Sequence, residues 1–399
     1  MNAAWRRACE FDEVNQNVAF SKERQDKRWF CEKYCGGVGV DRGPSDSIWD
    51  LLVSIEAPHE PLAVIACVPS LCERFLRPTA HFVESGGSSA DGDNVTSVVT
   101  KHLLSEAGRV NGGETGDFLR STIETGLSLE TASVQRAASL VMITDAGQDL
   151  DDEMTMVLMR ALTDRGLVKC KGAVATLAPA RARARLVRGT LNELGLGEVP
   201  VAIGTDGGFT GLTATFEETA SSYIACDDES FDAICGEELL VQLYAEATPA
   251  SLEMLVIASF KDAAQFVRNH EQLFKQKTRS VTVMGGVMPF EDTDDDVLLL
   301  PDTAHNNQFD VEGSDYFYRR CQELKIPMIV VSRHAAYACP MPRSIYDDMA
   351  CTGHPIGKRL RDTQRGSIEG LWKRACAEGA ERLGLPGRCD KQWFRSTYV

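Results

Sequence analysis

The sequence predicts an α/β fold with a doubly wound, mostly parallel open sheet and helices on both faces of the sheet. From residue 138 onward, short apolar and β-branched runs alternate with longer amphipathic segments, which is the pattern of βαβ units. The apolar runs are nearly continuous, as expected for parallel strands that are buried on both faces. Glycine-rich turns follow two of the runs, at 204–208 and 284–286. Each turn either lines a pocket or simply supplies a positive φ angle.

Strands and helices are expected in strict alternation. The predicted strands cover residues 139–143, 168–176, 199–203, 252–258, 280–284 and 327–332. The predicted helices cover residues 153–164, 180–194, 237–247, 261–275, 312–324 and 357–383. We therefore expect one α/β domain over residues 138–399.

Residues 1–135 form an N-terminal region to which the pattern assigns no fold. Short stretches at 48–54 and 61–67 are strand- or helix-like. The segment near 85–95 is rich in Ser, Gly and Asp, which is typical of a flexible linker.

The composition excludes several classes of function. A formal net charge of -16 argues against a nucleic-acid-binding protein, because phosphate contacts need clustered Lys and Arg. The N-terminus lacks the apolar segment of a secretory signal, and no apolar run is long enough to span a membrane. The 13 cysteines show no paired metal-finger spacing. These features predict a cytoplasmic protein with free thiols and with neither nucleic acid nor membrane as a partner.

The segment that points most directly to a function is an acidic loop, residues 144–153, which reads TDAGQDLDDE. It follows an apolar strand and leads into an amphipathic helix. Crowded carboxylates repel one another, so that either their pKa values rise or a cation neutralises them. Hard cations such as Ca²⁺ take oxygen ligands of this kind. The carboxyl ends of the strands in open α/β sheets are also where ligands bind.

Two other interpretations of the acidic loop remain open. The carboxylates could cap a helix and form a solvated turn, although capping accounts for only one or two of them. The loop would also suit a Mg²⁺-dependent phosphoryl-transfer or receiver protein, with Ser259 and Lys261 placed for phosphate.

Further segments follow the acidic loop in a recognisable order. They read KGAVATL at 171–177, VPVAIG at 199–204, VIASFKDAA at 256–264, VTVMGG at 281–286 and NNQFDVE at 306–312. Together with the acidic loop, these motifs over residues 139–395 resemble those of the nucleoside hydrolase family, the inosine/uridine-preferring N-ribohydrolases. The resemblance implies a Ca²⁺-dependent hydrolase of nucleoside salvage that splits a ribonucleoside into ribose and free base.

The resemblance also implies roles for individual residues. Asp145 would be a metal ligand and the base that activates water, and Asp152 would be the second acidic ligand. Asp151 would hold the ribose hydroxyls. Because a bound metal lowers the pKa of its water and carboxylates stabilise an oxocarbenium-like sugar, this chemistry is consistent with the residues present.

Three further roles follow from later positions of the family pattern. The carbonyl group of Ile257 would complete part of the metal shell, and Asn306 would contact the ribose. Asp390 would be the last metal ligand. The small-molecule partner would be a nucleoside, and because the family often forms dimers or tetramers, a homo-oligomer is also implied.

The chain departs from the family pattern at several positions. The acidic loop is two residues longer than the family motif, so Asp149 is either an extra ligand or a helix cap. Cys389 replaces a histidine, which leaves the general acid unidentified, with His305 and His334 as candidates. These changes favour the alternative that the chain is a metal- and ribose-binding homologue with impaired catalysis.

Overall fold

The computed structural model describes Trp49, Leu52, Leu71 and the ranges 54–56, 59–68, 76–77, 79–83, 98–103, 109–110, 137–209, 215–227, 234–288, 298–337 and 341–377. The chain divides into two compact units. The smaller unit comprises Met1–Glu56, Pro342–Ser344 and Asp362–Val399, and the larger comprises Ala57–Met341 and Ile345–Arg361. The main sheet and the acidic loop belong to the larger unit.

The described strands are β1 (Ser54–Glu56), β2 (Leu76–Arg77), β3 (Thr79–Val83), β4 (Val98–Leu103), β5 (Arg109–Val110), β6 (Ala138–Thr144), β7 (Val168–Ala175), β8 (Val201–Ile203), β9 (Leu252–Val256), β10 (Thr278–Gly285), β11 (Met328–Ser332) and β12 (Met341–Pro342). The described helices are α1 (His59–Ala66), α2 (Asp151–Asp164), α3 (Ala180–Glu193), α4 (Phe216–Thr219), α5 (Gly236–Glu246), α6 (Lys261–Lys277), α7 (His305–Phe309), α8 (Val311–Glu323), α9 (Arg333–Tyr337), α10 (Ser344–Cys351) and α11 (Pro355–Cys376).

The predicted fold class is confirmed. Within the described ranges, the main sheet has eight strands in the order β3-β4-β11-β10-β9-β6-β7-β8. All neighbouring pairs from β4 to β8 are parallel, and β3 pairs antiparallel with β4 at the edge. Each of the six predicted strands corresponds to one strand from β6 to β11.

The strand order reverses between β6 and β9. From β6 the chain proceeds outward through β7 and β8, and it then returns to β9 on the other side of β6 and continues through β10 to β11. In open α/β sheets, the crevice at such a reversal binds ligands beyond the carboxyl ends of the strands. Asp145 directly follows β6 and Ile257 directly follows β9, so both residues lie at this crevice.

Segments that precede residue 138 contribute to the larger unit. Strand β4 pairs with β11 through Lys101–Leu103 and extends the sheet. Helix α1 packs against α2 and also contacts β10 and β11. The predicted linker near 85–95 lies outside the described residues.

The core lies between the sheet and its helices. All of β9 and nearly all of β6 are buried, because helices cover both faces of a parallel sheet. On one face, aromatic rings of α5, α6 and α8 pack together, with Tyr244 4.7 Å from Phe266 and Phe274 6.2 Å from Phe317 between ring centroids. This packing holds the strand ends that carry the site. None of the helices in the described ranges has the length and apolar character needed to cross a membrane.

Candidate functional site

The end of β6 brings two carboxylates of the acidic loop together. The hydroxyl of Thr144 donates a hydrogen bond to Asp152 Oδ1, and the main-chain N–H of Asp145 donates to the same oxygen at 3.3 Å. The carboxyl group of Asp152 in turn hydrogen-bonds to that of Asp145. The first turn of α2 therefore points back to the end of the strand and brings these two predicted metal ligands together.

The carboxylates of the acidic loop do not cap α2. The N-cap residue is Leu150, and no side chain forms a capping hydrogen bond there. Asp149 is exposed, whereas Asp151 and Asp152 are 7% and 3% exposed. The interpretation of the loop as a helix cap with a solvated turn is therefore wrong. Capping does occur elsewhere, since Asp310 accepts from the N–H of Gly313 at 3.1 Å at the start of α8.

A further carboxylate, Glu60, enters the site from α1. Its side chain is 6% exposed and hydrogen-bonds to the carboxylate of Asp151. Its second oxygen, Oε2, is buried without a hydrogen-bond partner among the described residues. Sequence reasoning missed Glu60, because nothing in its local pattern indicates that α1 packs beside the acidic loop.

Burial and mutual repulsion raise the pKa values of these acids. The pKa of Asp145 is raised to about 7, mainly by burial and further by the charges of Asp149 and Asp151. The pKa of Asp152 lies well above its usual value because of burial and repulsion from Asp145. The pKa of Glu60 also lies well above its usual value, mainly because of burial and next because of repulsion from Asp151. Without a cation, burial and repulsion therefore favour the protonated forms of these groups.

Arg183 holds the acidic loop from α3. Its Nη1 donates to the carbonyl oxygens of Asp145 and Ala146, the latter at 3.3 Å. The side chain lies 5.6 Å from the ring centre of Phe216 and is 4% exposed. Its positive charge opposes the rise in the pKa of Asp145. The spacing of the arginines at 181, 183, 185 and 188 forms no single helical face and by itself predicts solvated charge. This prediction is wrong for Arg183.

Arg359 of α11 holds the same loop at its middle. Its guanidinium donates to the buried carboxylate of Glu153 and to the carbonyl oxygen of Gly147 at 3.0 Å. Glu153 also accepts from the hydroxyls of Thr190 at 3.1 Å and Tyr223 at 2.6 Å. The last carboxylate of the acidic loop is thus a structural ion-pair partner that faces away from the site.

Asp262 joins the loops that follow β7 and β8. Its carboxylate accepts from the hydroxyl of Thr176 at 2.5 Å, and from the N–H and hydroxyl of Thr205 at 2.9 and 2.7 Å. Because α6 begins at Lys261, these hydrogen bonds fix the helix N-terminus against two neighbouring strand ends.

Helix α7 lies over the carboxyl edge of the sheet. Near its start, the side-chain amide of Asn306 donates to the carbonyl of Met284, which belongs to β10, at 3.4 Å. At its other end, the ring of Phe309 packs in a tilted arrangement against that of Phe209, with 6.0 Å between the ring centroids. Gly208 has a φ of +83°, and a Cβ there would lie 2.6 Å from the Phe309 carbonyl oxygen. This glycine turn therefore permits the close approach of α7.

His305 begins α7 and faces the acidic loop. The residue is exposed, and a positive charge on its ring would lower the pKa of Asp149. The other histidine candidate, His334, lies in α9, and its side chain lies outside the described structure. Of the two candidates for the general acid, His305 is thus the one whose placement beside the acidic loop is described.

The residues that the phosphoryl-transfer alternative requires are engaged elsewhere. The ammonium group of Lys261 pairs with Asp206 at 2.5 Å, and the Ser259 hydroxyl donates to the carbonyl oxygen of Gly207 at 2.7 Å. Both contacts stabilise the glycine turn after β8. Neither side chain contributes to the charges that act on Asp145.

Of the two remaining predicted metal ligands, Ile257 is described by the structure and Asp390 is not. The N–H of Ile257 donates to the carbonyl of Ile143 at 2.9 Å, which places Ile257 beside the end of β6. Asp390 and Cys389 lie outside the described residues. Within the described ranges, no three His, Cys, Asp or Glu side chains converge in a metal-binding arrangement. The acids of the site form two hydrogen-bonded pairs, Asp152 with Asp145 and Glu60 with Asp151.

The side chains of the site are nevertheless suitable ligands for a hard cation. The groups are carboxylate oxygens, as Ca²⁺ prefers, and one of them, Glu60 Oε2, is buried and lacks a partner in the described structure. A buried polar atom of this kind carries a desolvation cost that a cation would offset.

Two solved effector proteins are similar to this chain. It is 29% identical to the type III effector protein XopQ, solved in complex with adenosine diphosphate ribose, over 71% of this chain and 78% of that chain, with a TM-score of 0.57. It is 28% identical to the effector protein XOO4466 over 71% of this chain and 78% of that chain, with a TM-score of 0.56. A plant nucleoside hydrolase matches at 15% identity over 59% of this chain and 72% of that chain, with a TM-score of 0.42. No protein-family model and no curated protein matches the chain.

Proposed function

We propose that this protein hydrolyses the N-glycosidic bond of a ribonucleoside in a Ca²⁺-dependent reaction. The observation that carries the proposal is the pairing of Asp152 with Asp145 at the end of β6, with Asp151 buried beside them. This acid cluster lies at the point where the strand order reverses, which is where α/β proteins bind their ligands. The motif order that resembles nucleoside hydrolases supports the same reaction.

Each acid has a distinct role in this proposal. Asp145 would accept the proton of the attacking water as a general base. Asp152 would hold the cation together with Asp145, the carbonyl group of Ile257 and Asp390. A bound Ca²⁺ supplies water of lowered pKa and orients vicinal hydroxyls.

The sugar is oriented by two further residues. Asp151 accepts hydrogen bonds from the ribose hydroxyls, and Asn306 contacts the ribose from the side of β10. Because the developing oxocarbenium charge is stabilised by nearby carboxylates, the same acids that bind the cation lower the barrier to bond cleavage. His305, whose positive charge would lower the pKa of Asp149, would protonate the leaving base.

The second candidate function is binding of a ribose-containing ligand without hydrolysis. XopQ, the effector of 29% identity, was solved with adenosine diphosphate ribose. The replacement of the family histidine by Cys389 favours this candidate as well. A binding protein would use Asp151 and Asn306 for the ribose, but it would not need Asp145 as a base.

The test is release of reducing sugar from inosine, uridine, adenosine, guanosine and cytidine, with Ca²⁺ or with a chelator. Calcium-dependent release that is lost in Asp145→Asn supports the hydrolase. The matched control is Asp315→Asn on α8, which removes an exposed carboxylate whose partner is Arg319 and should retain activity. Saturable binding of adenosine diphosphate ribose without sugar release from any nucleoside would instead establish the binding protein.

A further inference from the structure

The segment that precedes the main α/β region supplies one acid to the candidate site. Glu60 lies in the first turn of α1, and α1 packs against α2, whose first turn carries Asp151 and Asp152. The first turns of the two helices therefore meet at the site. The neighbouring charges that raise the pKa of Glu60 are those of Asp151 and Asp152.

The fold of α1 does not require a carboxylate at this position. Residues 61–68 of the same segment are all buried, and Leu62, Val64 and Ile65 are completely excluded from solvent. Apolar burial of this kind accounts for the packing of α1. An uncharged side chain in place of Glu60 would avoid the cost of withdrawing a carboxylate from water beside two other acids.

The arrangement of Glu60 is that of a ligand rather than of an ion-pair partner. One oxygen is used in the hydrogen bond with Asp151, and Oε2 is buried without a partner in the described structure. Two carboxyl groups that face each other in this way need either a proton or a cation between them. Ca²⁺ accepts about six to eight oxygen ligands in flexible geometry, so a further carboxylate can be accommodated.

We propose that Glu60 is a direct ligand of the divalent cation at this site, so that α1 completes the metal shell begun by Asp145 and Asp152. This inference rests on the proposed Ca²⁺-dependent function and adds a ligand from outside the region that carries the family motifs. It also makes cation binding dependent on the packing of α1 against α2.

The first experiment measures Ca²⁺ affinity by titration calorimetry for the full chain, Glu60→Gln and Glu60→Asp. Loss of one anionic ligand should weaken binding at least about tenfold in Glu60→Gln, and Glu60→Asp should recover part of this loss. The matched control is Glu253→Gln, which changes another buried glutamate, on β9, whose partners are Arg279 and Ser280. This variant should bind Ca²⁺ as tightly as the unsubstituted protein.

The second measurement counts the water molecules on the cation and does not depend on activity. Eu³⁺ is bound in place of Ca²⁺, and its luminescence lifetime is compared in H₂O and D₂O. Replacing a direct ligand should admit about one additional water in Glu60→Gln. Thermal unfolding in chelator, where Glu60→Gln should be at least as stable as the full chain, establishes that the variant is folded.

The outcomes separate this proposal from the proposed function. Weaker binding together with additional water in Glu60→Gln supports Glu60 as a ligand. Unchanged affinity, or weaker binding without additional water, overturns Glu60 as a ligand and leaves the proposed function in place. Failure of the full chain itself to bind Ca²⁺ or Eu³⁺ overturns the Ca²⁺-dependent function as well.

Discussion

Arg359 and Glu153, which lie 206 residues apart in the sequence, form an ion pair in the interior of the larger unit. Both side chains are almost completely buried, at 2% and 0% exposed. The same guanidinium donates to the carbonyl of Gly147 in the acidic loop. The pair therefore joins α11, α2 and the loop that carries the candidate site, and it holds the loop backbone in place.

Replacement of Arg359 by Met should lower the free energy of unfolding by about 3–5 kcal/mol, because Glu153 would remain buried without its counter-charge. Urea denaturation measures this change. The control is Arg319→Met, which removes an exposed pair with Asp315 and should cost less than about 1 kcal/mol. Equal effects of the two substitutions would contradict a special role for the buried pair.

The carboxylate of Asp262 should be essential for holding the loops after β7 and β8 in their folded positions. In Asp262→Asn, an amide would face the donors of Thr176 and Thr205, and the unsatisfied groups should cost about 1–3 kcal/mol. The neighbouring substitution Asp206→Asn is a matched control, because its pair with Lys261 is well exposed and should contribute less than about 1 kcal/mol. Thermal unfolding of both variants gives the comparison, and similar losses of stability would argue against the buried carboxylate as the organising group.

Gly208 should tolerate no side chain. Its positive φ of +83° and the Phe309 carbonyl oxygen, which would lie 2.6 Å from an added Cβ, both oppose Gly208→Ala, and the backbone strain alone costs roughly 1–2 kcal/mol. The variant should unfold at lower temperature and, because α7 would shift, bind nucleoside more weakly. Gly366→Ala is the control, since Gly366 lies in α11 with no atom within 4 Å of the added Cβ; it should be neutral or stabilising by about 0.5–1 kcal/mol. A neutral Gly208→Ala would show that α7 does not depend on this contact.

Stability without a cation should fall as the pH rises through about 7. The pKa of Asp145 is raised from 3.8 in the unfolded chain to about 7 in the folded protein. An acid whose pKa is higher in the folded state contributes stability that is fully present below its unfolded pKa and is lost as the pH rises through its folded pKa. In chelator, the melting temperature should therefore decrease from about pH 4 to about pH 7 and level off at higher pH.

If the proposed function holds, addition of Ca²⁺ should reverse this trend, because the cation would bind the deprotonated acids. The increase in melting temperature on adding Ca²⁺ should widen over the same pH range, and calorimetry in buffers of different ionisation enthalpy should detect proton release on binding. Asp145→Asn serves as the control and should show a flatter dependence on pH in chelator. A Ca²⁺ effect that is independent of pH would contradict the raised pKa values.

The strand positions and the acidic loop could be predicted from the sequence because their signals are local. Alternation of apolar runs with helical periodicity identified β6 to β11, and the position of Asp145 directly after a strand placed it at the carboxyl edge of the sheet. The cap that Asp310 forms on α8 is local in the same sense, because capping depends on neighbouring backbone groups.

The partners of the site residues could not be predicted in the same way. Arg183 lies in a run of alternating arginines, and sequence spacing alone indicated solvated charge, whereas the structure turns its side chain inward to the carbonyls of Asp145 and Ala146. Whether an arginine is buried depends on the surface that packs over it, here Phe216, which lies in a different element.

The sequence by itself determined the fold class of this protein and the loop carboxylates on which the proposed chemistry depends. Periodicity and strand-end position are properties of consecutive residues, and they are therefore visible without a structure. The tertiary structure alone decided which charges meet: Glu60 with Asp151, and Arg359 with Glu153. These contacts join residues that are far apart in the chain, and their stability comes from burial and mutual desolvation, which arise only when the helices pack against the sheet.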